Sequence, residues 1–145
     1  MINVYPIGHI ALGYFSAKLY EKITKKQFNI YLVCFLSILP DFDLLFPSFL
    51  VHRGETHSFI TASIIFIPLI LLNKKRIPYY LSLLSHSLIG DYFTSYGTQL
   101  FWPMSNEYYK FFITLSLVNP FEYIVETFLI MLMILNVYKN IKTRN

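Results

Sequence analysis

Charge is what this sequence has least of. Asp, Glu, Lys and Arg make up 14% of its 145 residues, against about 25% in soluble domains. With 55% apolar residues beside them, there is too little polar surface to face water on every side. Cysteine is nearly absent: Cys34 stands alone inside an apolar run, so no intrachain disulfide forms and the thiol acts as a small hydrophobe. Met1 to Pro6 lack the basic start and small-residue cleavage site of a cleavable signal peptide, so none is expected. No repeat and no low-complexity segment is visible. The net charge of +4 suggests nucleic acid until the positions are read. The basic residues fall into short clusters between apolar runs, without the continuous stripe that groove tracking needs, and no nucleic-acid partner is expected.

What is present is a series of apolar segments. Phe28 to Phe46, with Pro40 inside it, Ser58 to Leu72, Ile77 to Phe93 and Phe121 to Tyr138 stand out. A weaker fifth runs from Pro6 to about Tyr20, opening on a proline suited to a first helical turn. Spanning a bilayer takes about 20 apolar residues, so several segments are short and tilted or re-entrant helices are expected. The fold class that follows is all-α, a polytopic bundle of four to five short transmembrane or re-entrant helices. The whole of 1–145 forms one membrane-embedded domain. Soluble helical packing is the rival reading. The 26 Tyr and Phe residues (12 and 14) suit interfacial belts as well as cores.

The basic clusters orient this arrangement. Lys18, Lys22, Lys25 and Lys26 separate the first two segments; Lys74, Lys75 and Arg76 separate the third and fourth; Lys139, Lys142 and Arg144 follow the fifth. Alternating segments put all three clusters on one side, ten of the twelve Lys and Arg, leaving Arg53 and Lys110 opposite. The positive-inside rule makes the crowded side cytoplasmic. The loops from about Pro47 to His57 and Thr94 to Pro120 then face out, the second holding Phe101, Trp102, Pro103, Tyr108 and Tyr109 for the headgroup layer and room for a short helix around Phe111 to Val118.

The four histidines and three aspartates play no part in that derivation, yet it gathers them. His9 lies early in an out-to-in helix, Asp41 and Asp43 late in an in-to-out helix. His52 and His57 bracket an outer loop, and His86 and Asp91 lie midway and late in another in-to-out helix. All seven fall in the outer half or near the midplane. Ionisable groups at such depth are costly and face a cavity, a partner or an ion. Imidazole with carboxylate suits zinc, with manganese or iron as alternatives, and a cation would make buried carboxylates tolerable. Each piece also has a plainer reading: His9 as a polar helix start, Asp41-Phe42-Asp43 after Pro40 as a kink, His52 and His57 as interfacial loop residues. His86, in an apolar helix, needs a partner on any reading. One spacing is awkward, because His86 and Asp91 are five apart, about 140° apart on an ideal helix. Either Gly90 marks a bend or π-bulge, or the two residues serve different metals.

These residues carry a resemblance. His9 with Gly13, Leu39-Pro40-Asp41-Phe42-Asp43, His52-Arg53-Gly54-Glu55-Thr56-His57-Ser58, His86 to Asp91 and Leu100-Phe101-Trp102-Pro103 resemble the small membrane-bound metal-dependent hydrolases of bacteria and archaea. Bacterial members of that group are described as inner-membrane proteins, some under SOS (LexA) control. The likeness covers about His9 to Pro103; its most distinctive string is His-Arg-Gly-x-Thr-His-Ser, and the last segment matches only as an apolar helix. That family is in turn distantly similar to the zinc-dependent phospholipase C and P1 nuclease group, all-helical enzymes with multinuclear zinc clusters. The resemblance implies His9, Asp41, His57, His86 and Asp91 as ligands of one to three divalent ions, with His52 and Asp43 completing or tuning the cluster. The His86–Asp91 spacing departs from the four expected in many relatives.

The expected function is hydrolysis at the outer leaflet, of a phosphoester or similar bond in a lipid or lipid-linked substrate. Asp43 is the candidate base orienting water, with Glu55 behind it. Arg53 is either a bidentate phosphate clamp or an interfacial anchor. Glu122 and Glu126, four apart, are either an extra ligand pair or carboxylates favoured by a helix start. The competing readings are a non-enzymatic ion- or proton-handling membrane protein, against which stands the lack of paired repeats, and a structural scaffold.

Overall fold

The structure, a computed structural model, describes residues 6–93, 96–111 and 119–142. Among these residues it is helical without a strand: α1 (Pro6–Thr24), α2 (Ile30–Ile38), α3 (Phe59–Leu72), α4 (Ile77–Ser85) and α5 (Asn119–Lys142). The five apolar segments correspond to these five helices, with two cut short. Pro40 cannot supply the N–H that would continue α2, and the chain tightens into a 3-10 turn over Leu39–Leu45. The second interruption is a π turn at His86–Gly90, which ends α4 after nine residues. Among the described residues one helix, Ile124–Lys142 within α5, is long and apolar enough to cross a membrane by length and composition. The short helix expected around Phe111 to Val118 falls outside the described residues.

Local chemistry sets the starts. Asn29 caps α2 by accepting from the Leu32 N–H, and Ser58 caps α3 by accepting from Ile60 and Thr61. The Ser58 hydroxyl donates in turn to the Trp102 carbonyl at 2.7 Å, while the Phe59 N–H donates to the Leu100 carbonyl. The segment that includes Leu100 to Trp102 is thereby tied to the head of α3. A paired bridge between Thr98 and Tyr109 closes its base, and Gly97 takes φ +72 beside the Tyr109 carbonyl, where a Cβ would clash.

Helices α1, α2 and α4 form the centre, with α5 packed against α1. Their junction is built from small residues. A Cβ on Gly13 would fall 1.9 Å from Ser37 Oγ and 2.6 Å from Ser82 Oγ. The two hydroxyls lie 2.8 Å apart and both reach the Val33 carbonyl. Close approach through Gly, Ala and Ser is the packing mode of helices in lipid, where no solvent drives side chains inward.

The distribution of polarity is the reverse of a water-soluble domain. Among the described residues thirteen buried side chains are polar or charged and ten are apolar, Pro40 and Pro78 included, while Tyr31, Phe49, Leu71, Leu72 and Met104 are each at least 79% exposed. Three of the most fully buried large side chains are His9, His57 and His86. At the opposite end the basic clusters meet: the Tyr20 hydroxyl donates to the Lys74 carbonyl at 3.3 Å, and the Asn29 N–H donates to the Tyr79 hydroxyl at 3.1 Å.

Gly13→Ala is expected to destabilise the protein by about 1–3 kcal/mol through overpacking, read as a lower melting temperature in detergent. Removing the facing side chain with Ser37→Gly in the same molecule should recover part of the loss.

Candidate metal centre

Two carboxylates and two imidazoles converge where the 3-10 turn, the 52–58 loop and the π turn meet. His57 Nε2 and His86 Nε2 are 3.1 Å apart. Asp41 Oδ1 lies 3.5 Å from the first and 3.3 Å from the second. Asp91 Oδ2 is 3.3 Å from both. Metal–ligand bonds of about 2.05 Å in tetrahedral geometry give ligand–ligand edges of about 3.3 Å. The separations of the two Nε2 atoms from each other and from the two carboxylate oxygens bracket that value.

The outer nitrogens assign the protons. His86 Nδ1 is 2.7 Å from the Ser37 carbonyl oxygen, which only accepts, so Nδ1 carries the hydrogen, and in the neutral ring Nε2 then holds a lone pair. Thr56 Oγ1 donates to Asp43 Oδ2 at 3.0 Å; with its one proton so used, it accepts from His57 Nδ1 at 3.0 Å. His57 Nε2 therefore also presents a lone pair. Two imidazole lone pairs stand beside oxygens of Asp41 and Asp91: a cluster of acceptors repels itself unless a cation or a proton sits among them. The donor set fits a divalent ion, and the Nδ1–H bonds to a carbonyl and to a hydroxyl–carboxylate pair are the outer contacts that fix ligating histidines.

The π turn resolves the five-residue spacing. The Asp91 N–H reaches the carbonyls of both His86 and Ser87, and the wider turn brings residue i+5 beneath residue i. His86 and Asp91 thus share one face. Gly90 lies in the same turn, and a Cβ there would stand 2.2 Å from His9 Cε1. Its absence lets the His9 ring stack on His86 at 3.7 Å and 17°.

The remaining candidates stand around this centre at greater distance. His9 Nε2 is 3.9 Å from Asp91 Oδ1; His9 is buried, and among the described residues its Nδ1 has no hydrogen-bond partner. Both His9 with Asp41 and His86, and His52 with Asp41 and His57, offer ligand atoms within 4.8 Å of one another. The His52 side chain is 41% exposed and its Nδ1 is 3.0 Å from Asp43 Oδ1. Asp43 is fully enclosed: besides His52 it accepts from Thr56 and from the Arg53 N–H at 3.2 Å, and its Oδ2 is 3.3 Å from His57 Nδ1. Arg53 is buried, with Nη2 3.2 Å from Asp91 Oδ1 and its guanidinium over the Tyr96 ring. Its backbone is left-handed at φ 62, and its carbonyl accepts from the Gln99 N–H at 2.9 Å. The expected clamp and base thus stand behind Asp91 and His57 respectively. Of Glu122 and Glu126, the side chain of the first lies outside the described residues.

Sequence reading passed over Thr56 and Ser37. Thr56 sits inside the His-Arg-Gly-Glu-Thr-His-Ser string, and its place next to His57 was the signal. The Ser37 contribution is a backbone carbonyl, which no side-chain pattern announces. Asp41, 21% exposed, is the one member of the four with solvent contact; His57, His86 and Asp91 are at most 2% exposed. Access therefore runs past Asp41, whose neighbours Phe42, Leu44, Leu45, Phe46 and Phe49 expose 41–85% of their surface.

No curated protein and no solved structure matches the chain. The family model described as YdjM inner membrane protein matches residues 4–143. With nearly its whole length so matched, the chain belongs to the YdjM inner membrane protein family, and its place is the inner membrane.

Proposed function

We propose that this inner-membrane protein is a metal-dependent hydrolase, with zinc held by Asp41, His57, His86 and Asp91, acting on a phosphoester bond in a lipid or lipid-linked substrate. The observation that carries the reading is the pair of Nε2 atoms 3.1 Å apart, each within 3.5 Å of oxygens of Asp41 and Asp91, with the two Nδ1 atoms turned to outer partners. A bound divalent ion would supply a Lewis acid and lower the pKa of a coordinated water. The protein's own groups do the rest. Asp43 and Thr56 hold the His57 ring by its Nδ1–H, the Ser37 carbonyl holds His86, and Arg53 holds Asp91 by its outer oxygen while adding positive charge beside the centre. Asp43 and Arg53 are thus positioning residues. His9 and His52 flank the centre as candidates for a further ion. The apolar collar beside Asp41 favours a substrate that stays in the lipid while its polar bond reaches the opening.

The same reading includes a polytopic arrangement. Helix α1 is about 28 Å long, and α2 with its 3-10 continuation about 27 Å, at ordinary rises per residue, close to the hydrocarbon thickness of about 30 Å. Nine of the eleven described basic residues, in the three clusters away from the centre, orient it toward the extracytoplasmic face.

Protein purified in detergent is expected to carry stoichiometric zinc by elemental analysis, and His57→Ala and His86→Ala to lose it together with hydrolysis of a phospholipid in mixed micelles. Equal, negligible metal in wild type and variants would remove the proposal's basis. Asp43→Asn should leave a folded protein whose zinc affinity, by chelator competition, is about 10–100-fold weaker; unchanged affinity would deny Asp43 its positioning role. For orientation, Met104→Cys in a Cys34→Ala background should react with a membrane-impermeant maleimide on intact spheroplasts, and Lys74→Cys only after lysis. The opposite pattern would invert the topology.

A further inference from the structure

At the other end of the molecule, about 20 Å along α1 from His9, a second feature lies outside the metal centre. Two adjoining cavities, of about 500 and 380 Å³, open between α1, α2 and α5 and share Lys18 and Glu21 in their walls. The mouth of the first is polar: Lys18, Lys22, Lys25, Gln27 and Asn136 line it. The second continues into an apolar floor of Phe28, Ile30, Tyr31, Val137 and Ile141. A basic mouth over an apolar trough is the shape of a lipid, headgroup at one end and acyl chain at the other.

Charge and backbone sharpen the reading. Lys18 Nζ is 2.6 Å from Glu21 Oε2, so the one carboxylate in the walls is neutralised and Lys22 and Lys25 leave the mouth at +2. Lys25 closes α1 with its N–H on the Glu21 carbonyl at 2.7 Å and with φ 59. That left-handed position is one that glycine or asparagine fills at less cost, and a lysine there sends a cation to the cavity at some expense in backbone energy. The wall on α5 is stiffened by a polar chain: the Tyr14 hydroxyl donates to Asn136 Oδ1 at 2.7 Å, and the Asn140 amide donates to the same oxygen at 3.0 Å.

We propose that this groove is a binding site for an anionic phospholipid, with its phosphate against Lys22 and Lys25 and an acyl chain along the α2–α5 floor. The family's place in the inner membrane supplies the ligand, and basic pockets between helices on the cytoplasmic side recognise such headgroups. The site is independent of the metal centre and does not rest on hydrolysis.

The test is thermal stability and binding of the full-length protein in neutral detergent, titrated with phosphatidylglycerol, phosphatidylcholine or glycerol phosphate. Phosphatidylglycerol is expected to raise the melting temperature, while phosphatidylcholine and the water-soluble headgroup leave it unchanged. Lys22→Gln with Lys25→Gly should weaken phosphatidylglycerol binding roughly thirtyfold, each lysine being worth about fivefold near a membrane surface. Lys74→Gln with Lys75→Gln, which removes the same charge elsewhere at this end, should bind as wild type. The single exposed change Lys22→Glu gives an independent reading should the double variant not fold, and is expected to abolish the shift. Equal stabilisation by both lipids, or equal loss in the Lys74/Lys75 variant, would overturn the proposal by reducing the effect to general surface charge. A response to glycerol phosphate alone would overturn it in favour of a soluble anion.

Discussion

Two imidazole nitrogens 3.1 Å apart, each within 3.5 Å of an Asp41 oxygen and an Asp91 oxygen, are the constraint around which the rest is organised. Buried lone pairs turned toward one another are costly unless a cation or a proton is shared among them. Three of the four groups are pinned from behind: His86 by the Ser37 carbonyl, His57 by Thr56 and Asp43, Asp91 by Arg53. Pinning prevents the side chains from rotating away from their mutual repulsion. The structural details that otherwise look unrelated are consequences. Pro40 ends α2 so that Asp41 and Asp43 ride on a tighter turn, the π turn aligns His86 with Asp91, and Gly90 leaves room for His9.

The apolar exterior and polar interior belong together. A helix in lipid gains little by burying leucine, so close contact goes to glycine, alanine and serine, as at Gly13, Ser37 and Ser82. Polar side chains that would be solvated on a soluble surface are instead folded inward and satisfied by one another. The two ends divide the labour of charge. One gathers carboxylates and imidazoles, the other lysines, and the separation agrees with a molecule oriented across a bilayer.

Arg53 illustrates how function and fold interlock. Its backbone N–H holds Asp43, its carbonyl anchors Gln99, and its guanidinium holds Asp91 over the Tyr96 ring. One residue in a left-handed conformation thereby joins three stretches of chain. An exposed phosphate clamp needs a free guanidinium edge; a buried arginine braced against an aspartate acts by fixing geometry and supplying field.

By itself the sequence pointed to the helical character, the five segments, and the gathering of His9, Asp41, Asp43, His52, His57, His86 and Asp91. Apolar runs and the position of lysines along the chain carry that information directly, because partitioning into lipid depends on composition more than on contacts. Tertiary structure alone decided which atoms meet. That Asp41, His57, His86 and Asp91 stand innermost while Asp43 and Arg53 stand behind them depends on rotamers and on a carbonyl, neither written in residue type. The His86–Asp91 spacing, ambiguous on an ideal helix, was resolved by one π turn, since a local change in hydrogen-bond register moves a side chain by a large part of a turn without altering a letter of the sequence.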